Sequence, residues 1–165
     1  MVLRRDTSDM SIIPFFTPPK RRVDRVFIHC SASDDPEHDD VSVIKKWHTS
    51  PSKTDPTKPW LDVGYHFYIK FDGTIQFGRS LEWTPSAQKS HNSRTIAICI
   101  SGGEDGKPGA FTKAQFAALQ ALCGAIHIAL PDVSFHGHRE VDKYKICPVF
   151  DYKALLNLDN DGFMP

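Results

Sequence analysis

The stretch RTIAICIS, residues 94–101, is apolar at every position from Ile96 to Ile100. Strand side chains alternate between two faces, so a short apolar run without alternation reads as a strand covered on both sides. Such a strand needs layers above and below one sheet. VDRVFIHCS, residues 23–31, supplies a second strand, and YHFYIKF and TIQFGR flank Asp72-Gly73, a dipeptide that marks a tight hairpin. Helical patterns separate these strands. Val41, Ile44, Trp47 and His48 fall at helical spacing. Phe116, Leu119, Cys123, Ile126 and Leu130 recur every three or four residues behind Thr112, whose spacing to Gln115 makes a capping box. VSFHGH adds a last strand, and a short helix is expected around DYKALLN. Strands interleaved with helices predict an α/β fold, a central mixed β-sheet flanked by helices, without setting the order of its strands.

A chain of 165 residues fits a single core. Residues 1–22 are proline-rich and basic at both ends, which predicts an extended N-terminal arm ahead of a domain over 23–165. The loop SPSKTDPTKP, residues 50–59, has surface composition. Twenty basic and twenty acidic side chains cancel, which argues against a nucleic-acid partner. No apolar run approaches the roughly 20 residues that span a bilayer. Pro14 interrupts the apolar part of the N-terminus and no small-residue cleavage site follows, so no secretory leader and no membrane insertion are expected.

Four cysteines show neither a CxxC pair nor the dense spacing of a disulfide scaffold. Cys99 and Cys123 lie in apolar patterns and are expected in the core. Cys147 differs, sitting in a polar segment before Pro148. In VFIHCSAS, alternation sends His29 and Cys30 to opposite faces of one strand. His38 and His48 sit in or beside polar surface stretches, and His127 interrupts an apolar helix. His29, His136 and His138 are at or near strand ends, with His138 nine residues before Cys147. A catalytic zinc site takes three protein ligands and keeps one position open, with imidazole and thiolate as common donors. His29, His138 and Cys147 form such a set. Spacing alone does not separate it from buried histidines and an inert thiol.

FIHCSAS, WLDVGYHFYIKFDGTIQFGR, NSRTIAICISGG and HREVDKYKICPVFD together resemble the type 2 N-acetylmuramoyl-L-alanine amidases, the phage endolysins among them. That family shares its fold with the peptidoglycan recognition proteins. The similarity is collinear from about Val23 to about Leu156. It implies Zn2+ as cofactor, with His29, His138 and Cys147 as ligands, and places Cys30 in the core. It implies that a zinc-bound water attacks the amide carbonyl, with Tyr65 and Lys145 assisting the transition state. It implies a substrate contact for Asn92 and a substrate contact or a supporting role behind the ligands for His66, while His136, which matches no ligand position, is expected to support the ligands or to be structural. Where family members carry G-x-H-x-x-G-x-N, this chain has PSAQKSHN, residues 85–92, with Pro85, Ala87 and Ser90 at the usual glycine, histidine and glycine.

The implied activity is hydrolysis of the bond between N-acetylmuramic acid and L-alanine in bacterial peptidoglycan, by a monomer made in the host cytoplasm and released to the wall through a holin. Three other readings compete. A peptidoglycan-binding module without activity would lack the cysteine ligand, which is present here. A metal-free Cys/His peptidase would survive chelation. A phage RNA polymerase inhibitor, which the resemblance implies through one phage member alone, would draw on that member's N-terminal region, which this arm does not clearly match.

Overall fold

The computed structural model describes residues 2–5, 12–107, 109 and 111–165, of which 2–5 and 12–15 are described by main chain alone. Its centre is a five-stranded sheet in the order β5-β4-β6-β3-β7. β3 (Arg25–Cys30) lies between β6 (Thr95–Ile100) and β7 (Ser134–Gly137) and runs parallel to both. β4 (Phe67–Ile69) pairs parallel with β6, and β5 (Ile75–Phe77) closes the edge antiparallel to β4. The mixed α/β sheet expected from the alternating patterns is therefore present. All six residues of β6 are buried, because helices cover both faces.

On one face, Val26, Ile28, Phe67, Ile69, Ile96, Ile98 and Ile100 form one core with Leu119, Leu122, Cys123 and Ile126 of α2 (Lys113–Ala129). Tyr152 and Leu156 of α3 (Tyr152–Leu156) complete that layer. Each such aliphatic side chain contributes about 1.5–3 kcal/mol of burial. The opposite face is smaller. It joins Tyr68, Cys99 and Val63 to Ile44 of α1 (Val41–His48).

Local chemistry fixes the element ends. Asp40 caps α1 by accepting from the Ser42 N–H at 2.8 Å. Thr112 and Gln115 form the expected capping box at the head of α2. Gln115 is fully buried, and its amide donates to the Ser101 carbonyl at 2.8 Å and the Ile69 carbonyl at 3.3 Å, satisfying main-chain acceptors where β6 and β4 end. The β4–β5 turn needs Gly73, which has φ +84° and packs against α2 so closely that a Cβ would lie 2.7 Å from the Ala114 carbonyl oxygen. These two strands are shorter than the sequence suggests. Tyr65 and His66 precede β4, although the His66 N–H still donates to the Ala97 carbonyl and the His66 carbonyl accepts from the Gly78 N–H, both at 2.9 Å.

The arm expected over 1–22 lies partly outside the described residues. Within it, β1 (Val2–Arg5) pairs antiparallel with β2 (Ile12–Phe15). Its end is tied to the domain. The Lys20 N–H donates to the Glu82 carboxylate at 3.0 Å, and the Arg21 guanidinium donates to the Leu81 and Thr95 carbonyls at 2.6 and 2.8 Å. All four cysteines are free thiols, and Cys99 and Cys123 are completely buried, as their apolar surroundings predict. No helix among the described residues is long and apolar enough to cross a membrane.

Candidate metal centre

The sheet register brings the first two candidate ligands together. The β3–β7 ladder ends at Ile28 opposite Gly137, so the next residues of the two parallel strands, His29 and His138, fall side by side. Their ring centroids are 4.6 Å apart with planes at 61°. Both are buried, at 1 % and 8 % exposure. His138 opens a single helical turn, His138–Glu140. The chain then loops out and returns at Cys147, where the Arg139 N–H donates to the Cys147 carbonyl at 3.1 Å and the Arg139 guanidinium donates to the Phe150 carbonyl at 3.2 Å. One ligand atom from each of His29, His138 and Cys147 consequently lies within 4.8 Å of the others.

Ionisation at the cluster favours ligation. Burial pushes the His29 imidazolium down, against the opposing pull of Cys147, so the ring is neutral. The Cys147 thiol is held far below its ordinary value, first by the neighbouring Cys30 thiol and then by His138 and His29, while burial acts in the other direction. Cys30 is pushed up by the same interaction and by burial. A neutral imidazole and a thiolate are the forms that bind a metal. Cys30 belongs to the apolar core with Val26 and Ile28, as expected from its strand face, yet its thiol also bears on Cys147.

Tyr65 stands beside the cluster, its ring centroid 5.2 Å from that of His29. Burial, with Cys99 and Cys147 adding to it, raises the phenol well above its ordinary value, so its hydroxyl remains a donor. Lys145 is two residues before Cys147. It is exposed on the loop between His138 and Cys147, flanked by exposed Tyr144 and Ile146, and its ammonium makes no hydrogen bond or ion pair among the described residues.

His66 is 1 % exposed, and both ring nitrogens serve the main chain. Nδ1 accepts from the Ala97 N–H at 3.1 Å and Nε2 donates to the Trp83 carbonyl at 2.8 Å. The substrate contact suggested by the resemblance finds no free ring nitrogen. Asn92 likewise serves a turn, its Oδ1 accepting from the Ala87 and Gln88 N–H groups at 3.0 Å. His136 is held between the Ser134 hydroxyl and the Glu140 carboxylate, both at 2.8 Å.

Two residues near the site escape a reading of the sequence. His48, assigned there to polar surface, is partly buried: its Nδ1 accepts from the Gly64 N–H at 2.9 Å and its ring packs 4.6 Å from Trp60 and 5.5 Å from Tyr65. Its position on the inward side of α1 beside Ile44 was the available signal. Gln88 is completely buried, with Oε1 2.9 Å from His29 Nε2. It lies in PSAQKSHN, residues 85–92.

Residues 19–150 match the N-acetylmuramoyl-L-alanine amidase family model, and the chain belongs to that family. It is 36% identical over 137 residues to the endolysin of Escherichia phage T7, covering 81% of this chain and 85% of that protein. Among solved structures it is similar to the N-acetylmuramoyl-L-alanine amidase LysC from Clostridium intestinale URNW, with a TM-score of 0.69 and 24% identity over 84% of this chain and 87% of that one. Human PGRP-IBETAC, solved with glycosamyl muramyl pentapeptide, has the same fold at a TM-score of 0.62 and 21% identity, with 82% of each chain covered.

Proposed function

We propose that the chain is a zinc-dependent endolysin that hydrolyses the amide bond between the lactyl group of N-acetylmuramic acid and L-alanine of peptidoglycan. The convergence of His29, His138 and Cys147 within 4.8 Å carries this reading. Two imidazoles and a thiolate suit zinc with one position left for substrate or water. In this reading those three residues hold the ion, which supplies a Lewis acid and lowers the pKa of water it binds.

The rest belongs to the protein. Tyr65 donates its hydroxyl proton as a hydrogen bond to the oxygen that gains charge when the carbonyl becomes tetrahedral. Lys145 brings an ammonium on the loop that carries Cys147, where it can approach the same oxygen or give a proton to the departing amine of L-alanine. The ends of β3 and β7 and the loop anchored by Arg139 keep the groups in place. Residues 23–165 form the catalytic domain and residues 1–22 an appendage. A chain of this kind is made in the infected cell and reaches the wall after a holin opens the membrane.

Metal analysis tests the proposal. One equivalent of zinc in the purified protein, with wall-degrading activity lost on chelation and restored by zinc, is the expected result. Full activity after complete removal of the metal contradicts it.

A further inference from the structure

From the geometry we infer that Gln88 is a positioning residue that fixes which nitrogen of His29 faces the metal, an inference that rests on the zinc reading above. The hydrogen bonds have a forced direction. The Thr95 hydroxyl donates to the Asn92 carbonyl at 2.7 Å, since a carbonyl can only accept. Thr95 Oγ1 therefore has only lone pairs to offer Gln88, whose Nε2 lies 2.8 Å away and donates to it. The same amide nitrogen lies 3.4 Å from the His91 carbonyl, a second acceptor. The Gln88 amide oxygen is thereby turned toward His29, 2.9 Å from Nε2. An amide oxygen only accepts, so His29 Nε2 carries the proton and Nδ1 keeps the free lone pair.

The surroundings hold Gln88 still. Its N–H and that of Ala87 both donate to Asn92 Oδ1, and the His91 N–H donates to the Gln88 carbonyl at 2.9 Å. The segment is pressed against Gly64, where a Cβ would lie 2.1 Å from the Ser86 carbonyl oxygen. Gln88 and Thr95 are both fully buried, so no water competes for the His29 proton. Residues 85–92 thus carry a buried glutamine that orients a ligand. A hydrogen bond that fixes a ligating imidazole typically changes metal affinity about 10–100-fold.

The test uses the metal-free and zinc-loaded full chain. Nitrogen-15 NMR of the apoprotein, above the pH at which its histidines protonate, should show His29 as the Nε2–H tautomer. Gln88→Met should yield a mixture of tautomers and a zinc affinity, by chelator competition, lower by about 10–100-fold. Gln88→Glu, which still accepts from Nε2–H, should restore the single tautomer. Thr95→Val provides a milder variant should Gln88→Met not fold: it removes the nearer of the two acceptors that orient the amide, leaving only the His91 carbonyl at 3.4 Å, and should also mix the tautomers. A single Nε2–H tautomer in Gln88→Met and in Thr95→Val, or an Nδ1–H tautomer in the unaltered protein, overturns the inference. An unaltered protein that shows the Nε2–H tautomer yet binds no zinc contradicts the zinc reading and leaves the role of Gln88 in orienting His29 intact.

Discussion

The backbone N–H of Arg139 donates to the carbonyl of Cys147 at 3.1 Å, so the residue after one proposed ligand grips another nine positions away from the first. His138 is placed by the end of β7 and His29 by the neighbouring strand. Cys147 has no regular element to place it. This bond and the Arg139–Phe150 bond at 3.2 Å supply the fixing that a strand supplies for the other two.

Cys147→Ser keeps size and removes the thiolate. Zinc affinity and peptidoglycan hydrolysis should each fall by more than about 100-fold, beyond the loss seen when a supporting hydrogen bond to a ligand is removed. Circular dichroism should be unchanged, since Cys147 is only partly buried. Retained activity would show that the thiolate is dispensable.

Tyr65→Phe keeps the ring against His29 and removes the hydroxyl. The loss of one oxyanion donor corresponds to a fall in kcat of about 100- to 1000-fold, with KM for wall fragments little altered. Because the phenol is held well above its ordinary value, the rate of the unaltered enzyme should show no tyrosine titration as pH approaches 10. A loss confined to KM would assign Tyr65 to binding instead.

His48 and His66 both titrate at about 4, below the ordinary 6.5. For His66 burial is the main cause, with the Arg21 and Arg79 cations adding to it; for His48 burial again leads, followed by Lys58 and Arg79. The unfolded chain therefore binds more protons than the folded one between pH 6.5 and 4, and stability falls as pH drops through that window. The contribution is fully present above 6.5. Protonation would also cost each ring its accepted bond, from Ala97 N–H in His66 and from Gly64 N–H in His48. For His66 the loss by pH 4 amounts to about 3 kcal/mol. Denaturant unfolding of the metal-free protein at several pH values should show this slope, and His66→Gln should flatten it. A flat profile from pH 7 to 4.5 would mean that neither imidazole is held neutral.

Arg79 fastens two loops beside the site. Its guanidinium donates to the Val63 carbonyl at 2.9 Å, the Thr84 carbonyl at 2.8 Å, the Asp62 carbonyl at 3.3 Å and the Ser86 hydroxyl at 3.1 Å. Arg79→Met leaves these acceptors without that donor and should lower stability by about 2 kcal/mol, or Tm by about 4–8 °C for a chain of this size. Lys in its place should recover little, since an ammonium cannot span the fork. An unchanged Tm would indicate that water replaces the bonds without loss.

Much of this was legible in the sequence, for identifiable reasons. The uninterrupted Thr95–Ile100 strand, the Thr112–Gln115 cap and the helix behind it are local patterns, and each local pattern formed as read. Residue type and spacing could only nominate His29, His138 and Cys147 as one possible donor set, and the resemblance singled them out; the parallel register of β3 with β7 then accounts for two of them meeting. Strand order was not legible, because it depends on pairings between residues as distant as Arg25 and Ser134. Nor was Gln88, since its role exists only once Thr95 and His29 are brought to either side of one amide. The bonding of His66 was equally out of reach. A histidine beside a site tyrosine looks available for substrate until the main chain is seen to occupy both its nitrogens.

The amidase reading stands or falls on the products released from purified Gram-negative peptidoglycan, analysed by mass spectrometry with zinc-replete protein and with protein stripped by EDTA. Free stem peptides beginning at L-alanine, appearing only in the zinc-replete sample, are the expected result. Glycan-peptide material left intact in both samples, or stem peptides released equally well after stripping, would contradict it.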